Sequence, residues 1–160
     1  IMEGIHALNP AMIPDVDQSK VFRVYASALT SLSIDENNNI STADNRMLRR
    51  MIRDNRTRGI VPEDTILRWQ SVRRGENHNI FPFQENADVI FNSSTLYELP
   101  VLKKHIFPLL TAVSPEDECY DEVRSIVKVL NYIEEADVDD EIPPTSLVRE
   151  FIGGNTFYRK

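Results

Sequence analysis

Arg46, Arg49, Arg50 and Arg53 are the residues of this chain whose type and spacing most clearly suggest chemistry. On a helix that turns 100° per residue they fall within a sector of roughly 100°, while Met47, Leu48, Met51 and Ile52 take the opposite side. Like charges three and four positions apart repel by a few tenths of a kcal/mol per pair, and Asp54 at the edge of the stripe is the nearest acid. Such a face calls for an anion. Arginine suits phosphate in particular, because its planar fork donates paired hydrogen bonds and its charge survives at any physiological pH. Arg56 and Arg58 extend the supply, and Gly59 frees the backbone to turn, as a flap over a bound nucleotide requires. The competing reading of the same spacing is a helix face that pairs with carboxylates elsewhere in an acidic protein.

Other chemistries have weaker support. His6, His78 and His105 lie far apart and lack the paired spacing of metal ligands. Cys119 stands in an acidic stretch that keeps a thiol protonated, which argues against a nucleophile. Trp69, Phe81 and Phe83 near the arginines resemble a base-stacking surface, yet a formal charge of -7 opposes broad nucleic-acid affinity. Packing is the expected role of those aromatics, and no nucleic-acid partner is expected.

Strands are expected at Ile1 to Leu8, at Lys20 to Ala26 and at Ala87 to Asn92, where β-branched and aromatic residues cluster between turn signals. Asp35 to Asn39 reads as a polar loop. A helix capped by Ser41 or Thr42 runs to about Asn55, and Pro62 opens a second that Gly75 closes. Leu96 to Leu110 is helical in pattern although Pro100 and Pro108 interrupt it. The next helix is expected to start at Ser114 and Pro115, with Val123, Ile126, Val127, Leu130 and Ile133 as its apolar face. A short helix from about Ser146 to Ile152 ends at Gly153-Gly154. Strands alternating with helices predict an α/β layer with parallel strands, followed by a helical segment.

With 160 residues, 41% hydrophobic and 27% charged, the chain has the composition of an ordinary globular protein rather than a disordered one. No apolar run approaches the roughly 20 residues that span a bilayer, so no membrane partner is expected. A lone cysteine fits a reducing compartment, and the cytoplasm is the expected location. Charge is segregated: the span 46–74 holds nine arginines against Asp54, Glu63 and Asp64, whereas eleven acids between Glu116 and Glu141 face only Arg124 and Lys128. Arg73 and Arg74 read as ordinary charges at a helix C-terminus.

The run Arg49-Arg50-Met51-Ile52-Arg53-Asp54, followed by Arg58-Gly59, resembles the lid of the uridine kinase and phosphoribulokinase family of P-loop kinases. Glu3-Gly4-Ile5 is similar to that family's Walker B strand, and Ala87 to Asn92 to the last strand of its sheet. The stretch Trp69 to Asn92 and the motif Arg149-Glu150-Phe151-Ile152-Gly153-Gly154 resemble a bacterial uridine-kinase-like branch. The resemblance implies an α/β fold with a partial P-loop kinase-type parallel sheet: residues 1–93 as the C-terminal half of the kinase core, lid at about 41–75, and 94–160 as a helical extension. It also implies that Arg50 faces the phosphoryl acceptor, that Arg49, Arg53 and Arg58 bind ATP phosphates, and that Glu3 associates with magnesium through water. ATP with Mg2+ and a hydroxyl acceptor, a nucleoside or a sugar phosphate, would be the ligands, and a homo-oligomer is compatible.

Two departures qualify the resemblance. Ile60 stands where uridine kinases usually continue with a second arginine, and no Gly-x-x-x-x-Gly-Lys-Ser/Thr occurs in the 160 residues. The chain is therefore expected to need a phosphate-gripping N-terminal half of the same protein, and the strand at Ile1 to be displaced, paired differently or completed by another chain. The alternative is a non-catalytic anion-binding or protein-interaction module.

Overall fold

The computed structural model describes residues 1–30 and 40–157, so the polar loop expected at Asp35 to Asn39 lies outside the described residues. It contains a mixture of helices and strands with a small parallel sheet. The ordered elements are β1 (Val24–Ser27), α1 (Thr42–Arg58), α2 (Pro62–Asn79), β2 (Val89–Asn92), α3 (Glu98–Thr111), α4 (Tyr120–Leu130) and α5 (Val148–Ile152), with short 3-10 turns between them. The chain divides into two compact units: Ile1–Ser27 with Trp69–Ser93, and Ala28–Arg68 with Ser94–Lys160. The arginine helix thus shares its unit with the C-terminal segment, whereas the sequence grouped it with residues 1–93.

In the first unit β1 pairs with β2 in parallel, Val24 opposite Val89 and Ser27 opposite Asn92. Both strands start later than expected. Gln18–Lys20 forms a 3-10 turn because Asp17 accepts the Ser19 amide at 3.1 Å, a local bond that competes with extension. Ile90 and Phe91 are exposed, so this pair lacks the covering layers that parallel sheets normally have.

Ile1 to Leu8 is not a strand. Gly4 takes a φ of 151°, and the amides of Ala7 and Asn9 bond to the carbonyls of Gly4 and His6, each at 3.0 Å. Those two amides and two carbonyls close turns locally instead of joining a sheet ladder. The expected Walker B strand is therefore absent from the described sheet.

The second unit is built around α1 and α3. Ser41 closes a capping box: its Oγ accepts the Asp44 amide at 3.1 Å while Asp44 Oδ2 accepts the Ser41 amide at 3.3 Å. At the other end Gly59 enters the left-handed region at φ 66°, and its amide reaches the Asn55 carbonyl at 2.9 Å. Met47, Leu48, Met51 and Ile52 are buried, as are Leu99, Val101, Leu102, Ile106 and Leu110 on α3. Replacing Ser41 with alanine removes one of two reciprocal bonds. We expect a loss of about 1 kcal/mol in urea unfolding of the whole chain, with an unchanged m-value.

Two helix limits differ from expectation. Gly75 does not end α2: its φ is negative, and Asn79 Nδ2 donates to its carbonyl at 3.0 Å one turn later. α4 begins at Tyr120 rather than at Ser114, since Ser114 Oγ and Asp117 Oδ1 accept the Glu116 and Cys119 amides two residues on and hold this stretch in turns. The acidic segment beyond α4 is strapped to α3. Lys103 Nζ donates to the Ile133 carbonyl at 2.7 Å, and Lys104 Nζ meets Asp137 at 2.5 Å and Asp139 at 3.0 Å. The hydrogen bond to Asp137, with that to Asp139, raises the Lys104 pKa above its ordinary value. Burial pushes Asp139 upward, but its bonds with Lys104 and His105 outweigh that and leave its pKa lowered. Among the described residues no helix is long and apolar enough to cross a membrane.

Candidate anion-binding site

Asp54 is the centre of the arginine cluster. Its carboxylate is almost wholly buried, 2% exposed, and receives Arg50 Nε at 3.3 Å, Arg53 Nε at 3.2 Å and Arg58 Nη1 at 3.0 Å. The helix dictates this arrangement: Arg50 and Arg58 stand four residues on either side of Asp54, and Arg53 is adjacent. Glu150 at the start of α5 adds a looser contact to Arg53, at 3.7 Å.

Arg49 does not belong to this surface. Both Nε and Nη2 donate to Glu98, the latter at 2.6 Å, and the guanidinium lies 4.9 Å from the Phe151 ring centre. Glu98 is fully buried. A group held this way is a core ion pair, so phosphate binding is withdrawn from Arg49. The physical reason is its angular position: Arg49 borders Ile52 on the helix wheel, so the packing of α3 against α1 encloses it. Arg56 is also committed, donating to the carbonyls of Phe151 and Glu150 at 2.9 Å each. Gly153 takes a φ of 98°, which favours glycine there, and a Cβ would also stand 3.3 Å from Arg56 Nη1.

These contacts change the picture of a flap. Buried apolar residues, the Arg49 pair and the Arg56 bonds tie α1 into the second unit, so the helix is part of a core and does not swing on Gly59 alone.

Arg68, which the sequence did not single out, lines a recess of about 20 Å³ with Arg50, Asp54, Ile60, Asp64 and Thr65. That volume suits a single water, so a phosphate would have to be met at the outer surface. The guanidiniums offer themselves there: the side chains of Arg50, Arg53 and Arg58 are 37%, 34% and 60% exposed. Arg68 is exposed and makes no ion pair among the described residues. Four cations thus face Asp54, Asp64 and the half-exposed Glu150, leaving positive charge in excess. No protein-family model matches the chain, and no solved structure matches it.

Glu3, expected to associate with magnesium, is exposed in the irregular N-terminal stretch, without the strand that was expected to aim it; among the described residues no three His, Cys, Asp or Glu side chains group to hold a metal ion. Cys119 is buried. Burial first, and then its Sγ–H donation to Asp117 Oδ1 at 3.3 Å, push its thiol up to about 12, which removes it as a nucleophile near neutral pH.

Proposed function

We propose that the Arg50, Arg53 and Arg58 surface clasps the polyphosphate of a nucleotide, in the manner of the lid of an ATP-dependent kinase of the uridine kinase and phosphoribulokinase type, with Arg68 as a fourth cation. The observation that carries this reading is the convergence of three partly exposed guanidiniums on a single buried carboxylate. Asp54 holds their Nε or Nη1 atoms on one side, which leaves the outward N–H groups ordered and in excess of the negative charge. Phosphoryl transfer depends mostly on positioning and on neutralising charge. Such a surface would therefore orient the β- and γ-phosphates and offset charge as the bond to the leaving group lengthens. Arg50 on this reading lies toward the acceptor hydroxyl. With no Gly-x-x-x-x-Gly-Lys-Ser/Thr in the 160 residues, binding and not turnover is the activity proposed for the chain by itself.

A second reading is favoured by a specific observation: Asp54 and Glu150 already oppose these arginines, which is how a non-catalytic helical module would lock its own surface. Titration with ATP and magnesium separates the two. On the first reading binding is weak and salt-sensitive, and alanine at Arg50, Arg53 or Arg58 weakens it by roughly threefold to tenfold each, about 0.7 to 1.4 kcal/mol. Affinity that ignores all three replacements removes the clasp and leaves the module.

A further inference from the structure

A groove of about 780 Å³ runs between the C-terminal end of α3 and α4, and it lies in the part of the molecule with the strongest negative charge. Its floor is apolar, from Leu110, Val113, Val123 and Val127. Its rim carries Arg124 and Lys128, the only two cations between Glu116 and Glu141. They stand four residues apart, on the same face of α4. Asp121 is the one carboxylate among the lining residues, and it meets Arg124 only at 3.9 Å with both side chains largely exposed, a contact worth little. Lys128 has no ion-pair partner among the described residues. Two cations therefore line the groove against one carboxylate, Asp121.

We propose that this groove receives an acidic amphipathic helix of a partner protein. Its lining follows α4 from Tyr120 to Asn131, about 16 Å or three turns at 1.5 Å per residue, which matches the contact length of a short helix. A small ligand would be poorly enclosed there, because Arg124, Ser125, Lys128 and Asn131 on the rim are all exposed. The partner's apolar residues, spaced three and four apart, lie along the valine floor, and carboxylates four apart on its flank pair with Arg124 and Lys128. The surrounding acids repel a ligand that is only acidic, so apolar contact and the two charge pairs are both required. This interaction is independent of the phosphate clasp.

The test uses the whole chain and a labelled helical peptide of about 14 residues, with leucines on one face and glutamates four apart on its flank. An otherwise identical peptide with lysines in place of the glutamates is the comparison. Fluorescence anisotropy is expected to show the glutamate peptide binding at least about tenfold more tightly than the lysine peptide. The double variant Arg124→Glu with Lys128→Glu reverses that order, and Arg53→Ala leaves it unchanged. Equal affinity of the two peptides for the unaltered chain overturns the proposal without relying on any variant. So does loss of glutamate-peptide binding with Arg53→Ala, which would place the peptide on the other basic surface. Binding of decanoate in the groove with no binding of either peptide overturns it as well, in favour of a small amphiphile.

Discussion

Replacing Glu98 with alanine is expected to destabilise the second unit by about 3 to 5 kcal/mol. Glu98 is fully buried, and its two oxygens accept both Nε and Nη2 of Arg49, with the Thr95 amide adding a bond at 3.3 Å. Removing the carboxylate strands a guanidinium that packing over Phe151 keeps out of water. The guanidinium then loses both bonds to Glu98 in a site closed to water, which sets this pair apart from the exposed ones at about 0 to 1 kcal/mol. The double variant Arg49→Met with Glu98→Leu restores most of the loss, because two apolar groups of similar volume remove both charges together. The unrecovered part, about 1 kcal/mol, corresponds to the Thr95 amide that loses its acceptor. Urea unfolding of the unaltered chain, Arg49→Met, Glu98→Leu and the double variant gives the coupling energy directly. A cost below about 1 kcal/mol in both single variants would mean that the site opens to water and that the pair does not hold α1 to α3.

This pair also marks the boundary of what the sequence makes legible. Spacing alone placed Arg46, Arg49, Arg50 and Arg53 on one sector of a helix, and a cap at Ser41 or Thr42 with an end at about Asn55 comes within three residues of the observed end at Arg58. Spacing fixes angles around an axis and leaves open which neighbour covers which angle. Arg49 lies at the rim of the sector, beside Ile52, and only the partner helix decides that it is inside. A signal was present in Glu98, an acid at the head of the apolar run Leu99, Val101 and Leu102, where a lone carboxylate would demand a cation. Asp54 was legible as an i, i+4 partner of Arg50 and Arg58, whereas its depth of burial was not. Ile1 to Leu8 failed for a different reason: apolar composition identifies residues that suit a strand, but a strand exists only through a neighbour's hydrogen bonds. Gly4 at φ 151° redirected those groups locally.

Asp54→Ala distinguishes a structural lock from an anion site within the same residue cluster. The carboxylate is 2% exposed and accepts from three arginines, so its loss removes three charge-assisted bonds and leaves Arg50, Arg53 and Arg58 with only the looser Glu150 contact and the nearby Asp64 as counter-charge. Partial exposure lets those guanidiniums turn toward water and limits the cost, which places the expected loss near about 2 to 4 kcal/mol, below that for Glu98. An anion that fits can then take the place of the missing carboxylate. Tripolyphosphate should raise the melting temperature of Asp54→Ala by more than it raises that of the unaltered chain, and by more than sodium chloride of equal ionic strength does for either. The gain follows mass action, about 2.7 kcal/mol when the free anion reaches one hundred times its dissociation constant. Chloride screens the repulsion without bridging the forks, so its effect saturates early. If chloride and tripolyphosphate recover the variant equally, the arginines answer only to ionic strength, and the cluster is a helix lock with no geometric preference for phosphate.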